Sequence, residues 1–136
     1  MPYHAIGRFI EEHVRGKPYV FVVMPYDEKY ELFLQIQRIV GEAVGLKCIR
    51  ADDVHGSGFN LLAKVHNLID RAELVIAEIS KHSPNVFYEV GYSVGIQKPI
   101  LLLVEEGAEI PTDLKGLEMI EYSGSKNAME IFERHL

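Results

Sequence analysis

A carboxylate stands in the middle of an apolar stretch of the sequence. The predicted helix around Glu89 is otherwise rich in apolar or small residues, which are Val86, Phe87, Val90, Gly91, Val94 and Gly95. A carboxylate in such a stretch loses hydration free energy unless it has partners, and perturbed carboxylates of this kind are frequent in active sites. Such a group can act as a nucleophile or in acid–base catalysis. Glu89 could equally cap a helix or bind a neighbouring amide, and the sequence leaves both interpretations open.

Candidate ligand contacts lie on two short polar loops. The first loop contains Met24, Pro25, Tyr26 and Asp27, and the second spans residues 80–85 and ends at Asn85. Tyr88 follows the second loop, directly before Glu89. Pro25 and Asp27 are also ordinary turn formers, and Tyr88 could contact the core or another subunit. We nevertheless predict that these residues contact the substrate.

Residues 52–58 bring together groups that could bind a metal or a phosphate. The spacing of Asp52, Asp53 and His55 matches no standard metal site, and we predict that the protein binds no metal. The segment 56–58 (Gly-Ser-Gly) could hold a phosphate with its backbone amides, or could simply turn the chain. We include Asp52 and Ser57 among the predicted substrate-binding residues.

The elements that position these residues follow from the apolar pattern. Strand-like runs cover 19–24, 46–49, 74–79, 99–104 and 117–122, and helical periodicity covers 28–44, 60–72, 83–97 and 126–136. Strands and helices that alternate in this way form βαβ units with a parallel sheet. We predict an α/β fold, a single-domain three-layer α/β/α arrangement with a five-stranded parallel sheet in the flavodoxin-like order 2-1-3-4-5. An amphipathic helix within residues 1–17 precedes the domain at 18–136.

This strand order predicts where a ligand binds. In open parallel sheets the ligand lies beyond the carboxyl ends of the strands, at the point where the strand order reverses. Here that point lies between the first and third strands, so residues 24–28 and 80–85 should meet in one crevice. The side chain of Glu89 should lean towards the start of its helix and therefore towards the same crevice.

Five short motifs in order resemble one enzyme superfamily. They are FVVMPY at 21–26, RADD at 50–53, AEIS at 77–80, SPNVFYEVG at 83–91 and PTDLKG at 111–116. Together they resemble the nucleoside 2-deoxyribosyltransferase-like superfamily, and in particular its bacterial Toll/interleukin-receptor-like (TIR-like) branch. The resemblance covers residues 18–123, nearly all of the predicted sheet and its connections.

The resemblance implies a role for Glu89, but it does not assign the group that protonates the leaving base. In the superfamily the glutamate of this motif attacks the anomeric carbon of a nucleoside, and that role maps onto Glu89. A second group protonates the leaving base. The resemblance places the superfamily's acid, an aspartate, at or beside Val65 and a second aspartate at Ser83, so this chain has no carboxylic acid at either position. His66 could take over the protonation, and we predict that Glu89 and His66 are the catalytic residues. A lone histidine on a helix can equally be an ordinary surface or core residue.

The composition of the chain indicates which classes of partner it binds and in which cellular compartment it lies. The 136 residues carry 14 Lys+Arg against 20 Asp+Glu, a formal charge of −6, and no basic stripe that would bind nucleic acid. The apolar runs are too short to span a bilayer, which predicts no membrane partner. A single cysteine, Cys48, excludes an intrachain disulfide, and we predict a cytoplasmic protein.

These observations define the predicted function. The protein should bind a nucleoside or nucleotide and cleave or transfer at its N-glycosidic bond, without a cofactor and as a homo-oligomer. The alternatives are a nucleotide-binding or signalling module without turnover, and an NAD glycohydrolase, because the TIR-like branch includes enzymes that cleave nicotinamide from NAD.

Overall fold

Five parallel strands form the sheet that carries the site. The computed structural model describes residues 17–25, 30–51 and 61–123. The strands are β1 (Tyr19–Val23), β2 (Lys47–Ile49), β3 (Leu74–Glu78), β4 (Ile100–Glu105) and β5 (Met119–Tyr122). They lie in the order β2-β1-β3-β4-β5, and every neighbouring pair is parallel. The predicted flavodoxin-like order is confirmed.

Helices connect the strands on both faces of the sheet. They are α1 (Tyr30–Val44), α2 (Leu61–Arg71) and α3 (Pro84–Gly95), and a short 3-10 turn (Thr112–Leu114) lies between β4 and β5. Gly45 ends α1 with φ of 71°, in the left-handed region that favours glycine. Pro84 begins α3, where a missing N–H costs no helical hydrogen bond.

Alternate residues of β1 pack against opposite layers, and all five are buried. Phe21 and Val23 belong to the core that β1 forms with α2 and α3, whereas Val20 and Val22 belong to the core with α1. A strand covered on both faces needs apolar side chains in both directions, which explains the continuous apolar run. The predicted three-layer arrangement is therefore confirmed.

The register brings the ends of three strands to one edge of the sheet. Val23 lies opposite Ala77 of β3, and Phe21 lies opposite Ile49, the last residue of β2. The segments that leave β1, β2 and β3 therefore begin close together, at the reversal of strand order.

Two predicted helices, within 1–17 and at 126–136, lie outside the described residues, so the division of the chain at residue 17 stays a prediction. Within the described ranges, no helix combines the length and the apolar character needed to cross a membrane.

Candidate active site

A cavity of about 440 Å³ lies at the reversal of strand order. Its wall comes from β1, the segments after β1 and β2, one side of α2, and the start of α3. The lining residues are Phe21, Val22, Val23, Met24, Pro25, Arg50, Ala51, Leu62, Val65, Ser83, Asn85, Val86, Tyr88 and Glu89. Its volume and mainly apolar wall with a few polar groups are typical of sites for small molecules.

The structure brings several of the predicted ligand contacts together. Met24 and Pro25 line the cavity from the end of β1, and Asn85 and Tyr88 line it from α3. The described residues after β1 thus meet the start of α3 and Ser83, which precedes it, in one crevice. Their contact with a substrate stays a prediction. Tyr26, Asp27, Asp52 and Ser57 lie outside the described residues.

Glu89 lies in the cavity wall as a partly buried carboxylate. Burial raises the pKa of Glu89 to about 7 from its usual value of 4.5, because the apolar surroundings disfavour the charged form. Among the residues that the structure describes, none forms a hydrogen bond to this carboxylate. The backbone carbonyl of Glu89 accepts a hydrogen bond of 2.8 Å from the Ser93 hydroxyl, one turn further along α3. A carboxylate that titrates near neutral pH inside a cavity can attack as a nucleophile or exchange a proton.

Arg50 contributes a positive charge to the wall, which the sequence patterns did not indicate. It directly follows β2, and its guanidinium carbon lies 4.3 Å from the centre of the Phe33 ring. This cation–π contact holds the side chain against α1. One signal was present in the sequence, since a residue after β2 must lie at the same sheet edge as the residues after β1.

Two other lining residues mark the places to which the resemblance assigns the superfamily's aspartates, at or beside Val65 and at Ser83. Val65 lines the cavity from α2, and Ser83 lines it from the residue before α3. Both positions thus face the ligand space, but neither carries a carboxylic acid in this chain.

His66 is not among the residues that line the cavity, yet it touches one of them. Its Nε2 lies 3.0 Å from the Tyr88 hydroxyl oxygen, which is a hydrogen-bonding distance. The imidazole stacks on Tyr92, with ring centres 3.9 Å apart and planes inclined by 6°. Burial lowers the pKa of His66 below its ordinary value of 6.5. The predicted acid is therefore placed behind Tyr88, one side chain away from the cavity.

The loop between β3 and α3 is held by hydrogen bonds beside the site. The Glu78 Oε1 atom accepts hydrogen bonds from the Ser80 amide, at 2.7 Å, and from the Ser80 hydroxyl. The Ser80 hydroxyl oxygen in turn accepts a hydrogen bond of 2.7 Å from the Glu105 amide. Glu78 is almost fully buried, so this carboxylate fixes the path of the chain from the sheet to Ser83.

The described part of the chain contains no group of three or more His, Cys, Asp or Glu residues that could hold a metal ion. Asp52, Asp53 and His55 lie outside that part, so the absence of a metal stays a prediction.

The solved structures that are similar to this chain in fold include an N-glycosidase and a TIR domain. One is the CMP N-glycosidase BcmB from Clostridium botulinum, with a TM-score of 0.67 and 18% identity, covering 85% of this chain and 98% of that chain. The other is the TIR domain of the Toll-related receptor TRR-2 from Hydra magnipapillata, with a TM-score of 0.67 and 15% identity, covering 85% and 92%. No family model matches the chain, and no curated protein matches it. The resemblance to the deoxyribosyltransferase-like superfamily and its TIR-like branch is confirmed at the level of the fold.

Proposed function

We propose that this protein cleaves the N-glycosidic bond of a nucleoside or nucleotide, with Glu89 as the nucleophile. The carrying observation is a partly buried carboxylate in the wall of a cavity of about 440 Å³ at the reversal of strand order. The similar fold of a CMP N-glycosidase gives further support.

The chemistry requires a carboxylate that approaches the sugar carbon. The Glu89 oxygen forms a bond to the anomeric carbon while the bond to the base breaks, and the base takes up a proton. Water then attacks the glycosyl ester and releases the sugar, which restores the Glu89 carboxylate. If a second base attacks instead of water, the same intermediate gives transfer rather than hydrolysis.

To test this proposal, the protein is incubated with a panel of nucleosides, nucleoside 5′-monophosphates and NAD. Chromatography then measures the free base that is released. Glu89→Gln keeps the size of the side chain and removes its charge, so we expect base release to fall by at least about a thousandfold. Glu118→Gln is the matched control, because it makes the same change at an exposed position outside the cavity. A second base added to the reaction distinguishes transfer from hydrolysis.

The results separate the alternatives. Equal cleavage by Glu89→Gln and the parent would show that Glu89 is not the nucleophile. Ligand binding by calorimetry without base release from any substrate would instead support a nucleotide-binding or signalling module without turnover.

A substrate with a cationic base, such as NAD, is the second candidate. The Glu89 carboxylate lies in a wall made largely of apolar side chains, including Val65 and Val86. A cationic ring brought into this wall would supply the opposite charge that the ionised carboxylate needs. A pyridinium base also leaves as a neutral molecule without a proton donor. Release of nicotinamide, with no release from nucleosides that have neutral bases, would favour this candidate.

A further inference from the structure

A pair of side chains connects the cavity with the neighbouring helix. Tyr88 lines the cavity from α3, immediately before Glu89, and its side chain is half exposed. Its hydroxyl oxygen lies 3.0 Å from Nε2 of His66 on α2. A proton can pass between two atoms at this distance without movement of either helix.

The imidazole in this pair is held in a fixed orientation. It stacks in parallel on Tyr92, at 3.9 Å, and lies nearly parallel to Tyr88, with ring centres 5.7 Å apart. The Tyr92 hydroxyl donates a hydrogen bond of 2.6 Å to Asp70 Oδ1, which lies one turn beyond His66 on α2. Stacking and this hydrogen bond together keep Nε2 directed at the Tyr88 hydroxyl.

Cleavage at a neutral base needs a proton as well as a nucleophile. When the glycosidic bond breaks, the electron pair stays on the base nitrogen, and an unprotonated base would leave as an unstable anion. Glu89 must be ionised to attack, so it cannot supply this proton in the same step.

We propose that the Tyr88 hydroxyl protonates the leaving base and that His66 replaces the proton; this inference rests on the proposed function. As the bond to the base breaks, the Tyr88 O–H gives its proton to the base nitrogen. In molecules whose His66 is protonated, a fraction that burial of the imidazole reduces at neutral pH, Nε2 passes its proton to the Tyr88 oxygen, so that tyrosine and imidazole both end neutral. His66 regains a proton from solvent, to which it is partly exposed. Tyr88 is thus a catalytic residue, and His66 acts through it.

The test compares leaving groups. Tyr88→Phe keeps the ring and removes the hydroxyl, and His66→Gln keeps a polar side chain that cannot relay a proton. Each variant is assayed on nucleotides whose bases differ in leaving ability, including nicotinamide mononucleotide and 7-methylguanosine 5′-monophosphate, whose bases are cationic. We expect Tyr88→Phe to slow cleavage at neutral bases by about a hundredfold or more, and His66→Gln to slow it by a smaller factor. Cleavage at cationic bases should change by less than about threefold, since the base then leaves without a general acid.

A matched control distinguishes a loss of proton transfer from a loss of structural stability. Tyr19→Phe also removes a tyrosine hydroxyl bonded to α2, in this case the 2.7 Å hydrogen bond to the Leu68 carbonyl, which lies outside the cavity. We expect this variant to unfold at a lower temperature and to keep the parent's ratio of rates between neutral and cationic bases.

Three results would overturn the inference. A uniform loss on all substrates in Tyr88→Phe would mean that the tyrosine only shapes the cavity, and no loss would mean that it has no role. Cleavage of cationic bases alone by the parent would show that no proton donor is needed, while the proposed function stands. If the parent cleaves no substrate in the panel, the proposed function itself fails, and that result does not depend on any variant.

Discussion

At the scale of the residue, Glu89 illustrates how a partly buried carboxylate opposes folding. Its pKa of about 7 lies above the usual value of 4.5, because the folded protein disfavours the charged form. Between these two pH values the folded state holds the proton more strongly than the unfolded chain. The contribution of Glu89 to the free energy of unfolding therefore falls as pH rises from about 4.5 to about 7, and this loss is complete above that range.

This linkage predicts that Glu89→Gln stabilises the protein at high pH. We expect the variant to be about 1–3 kcal/mol more stable than the parent at pH 8, and equally stable at pH 4, since glutamine carries no charge to bury. Urea unfolding at both pH values measures the difference. A variant less stable than the parent at both pH values would show that the carboxylate has a stabilising partner, as expected for a helix-capping role.

Individual residues also show where sequence patterns reach their limit. The place of Glu89 in the cavity wall could be predicted, because a carboxylate at the centre of an apolar helical stretch is unusual and its side chain leans towards the start of its helix. The pairing of Tyr88 with His66 could not, because it depends on the rotation of α3 against α2, and the two residues are 22 positions apart. The place of Arg50 in the cavity wall depends on its contact with Phe33 of α1, and a contact between separate elements has no signal in the sequence pattern.

At the scale of the element, the sequence predicted nearly all of the described architecture. Continuous apolar runs gave the strands, since each central strand is buried on both faces, and helical spacing gave the helices between them. Boundaries were less accurate: the last strand begins at Met119 rather than at residue 117. Side-chain contacts between elements, such as the bridge from Ser80 to the Glu105 amide, have no periodic signal and could not be predicted.

The hydrogen bond from the Glu105 amide to the Ser80 hydroxyl allows the contribution of the loop before α3 to be measured. Ser80→Ala removes the hydroxyl that joins Glu78 to the Glu105 amide, and we expect a loss of about 1–2 kcal/mol of stability. Because the loop leads to Ser83 and Asn85 in the cavity wall, KM should rise severalfold while kcat changes less. Urea unfolding and steady-state kinetics measure both effects. Ser80→Thr keeps a hydroxyl and should restore both values, whereas an unchanged KM in Ser80→Ala would show that the loop does not position the substrate.

At the scale of the whole molecule, the formal charge of −6 repels anions at long range. A nucleotide must therefore be bound by local hydrogen-bond donors. We propose Arg50, the start of α3 and the backbone amides of residues 56–58, whose contact with phosphate is a prediction from the sequence. The predicted homo-oligomer could add donors from a neighbouring subunit, and it stays a proposal.

Local and long-range charge can be separated by two arginine variants. We expect nucleotides to bind more tightly than the matching nucleosides by about 1–3 kcal/mol, through one or two charge-assisted hydrogen bonds. Arg50→Gln should remove much of this difference, since Arg50 lines the cavity. Arg38→Gln changes the total charge by the same amount at an exposed position on α1, and should leave the difference intact. Calorimetry with each nucleoside and its monophosphate, at low and high salt, measures the effect.

Equal losses of affinity in the two variants, both removed by salt, would show that total charge rather than the cavity governs binding. Equal affinity of the parent for nucleoside and nucleotide would show that the site takes no phosphate.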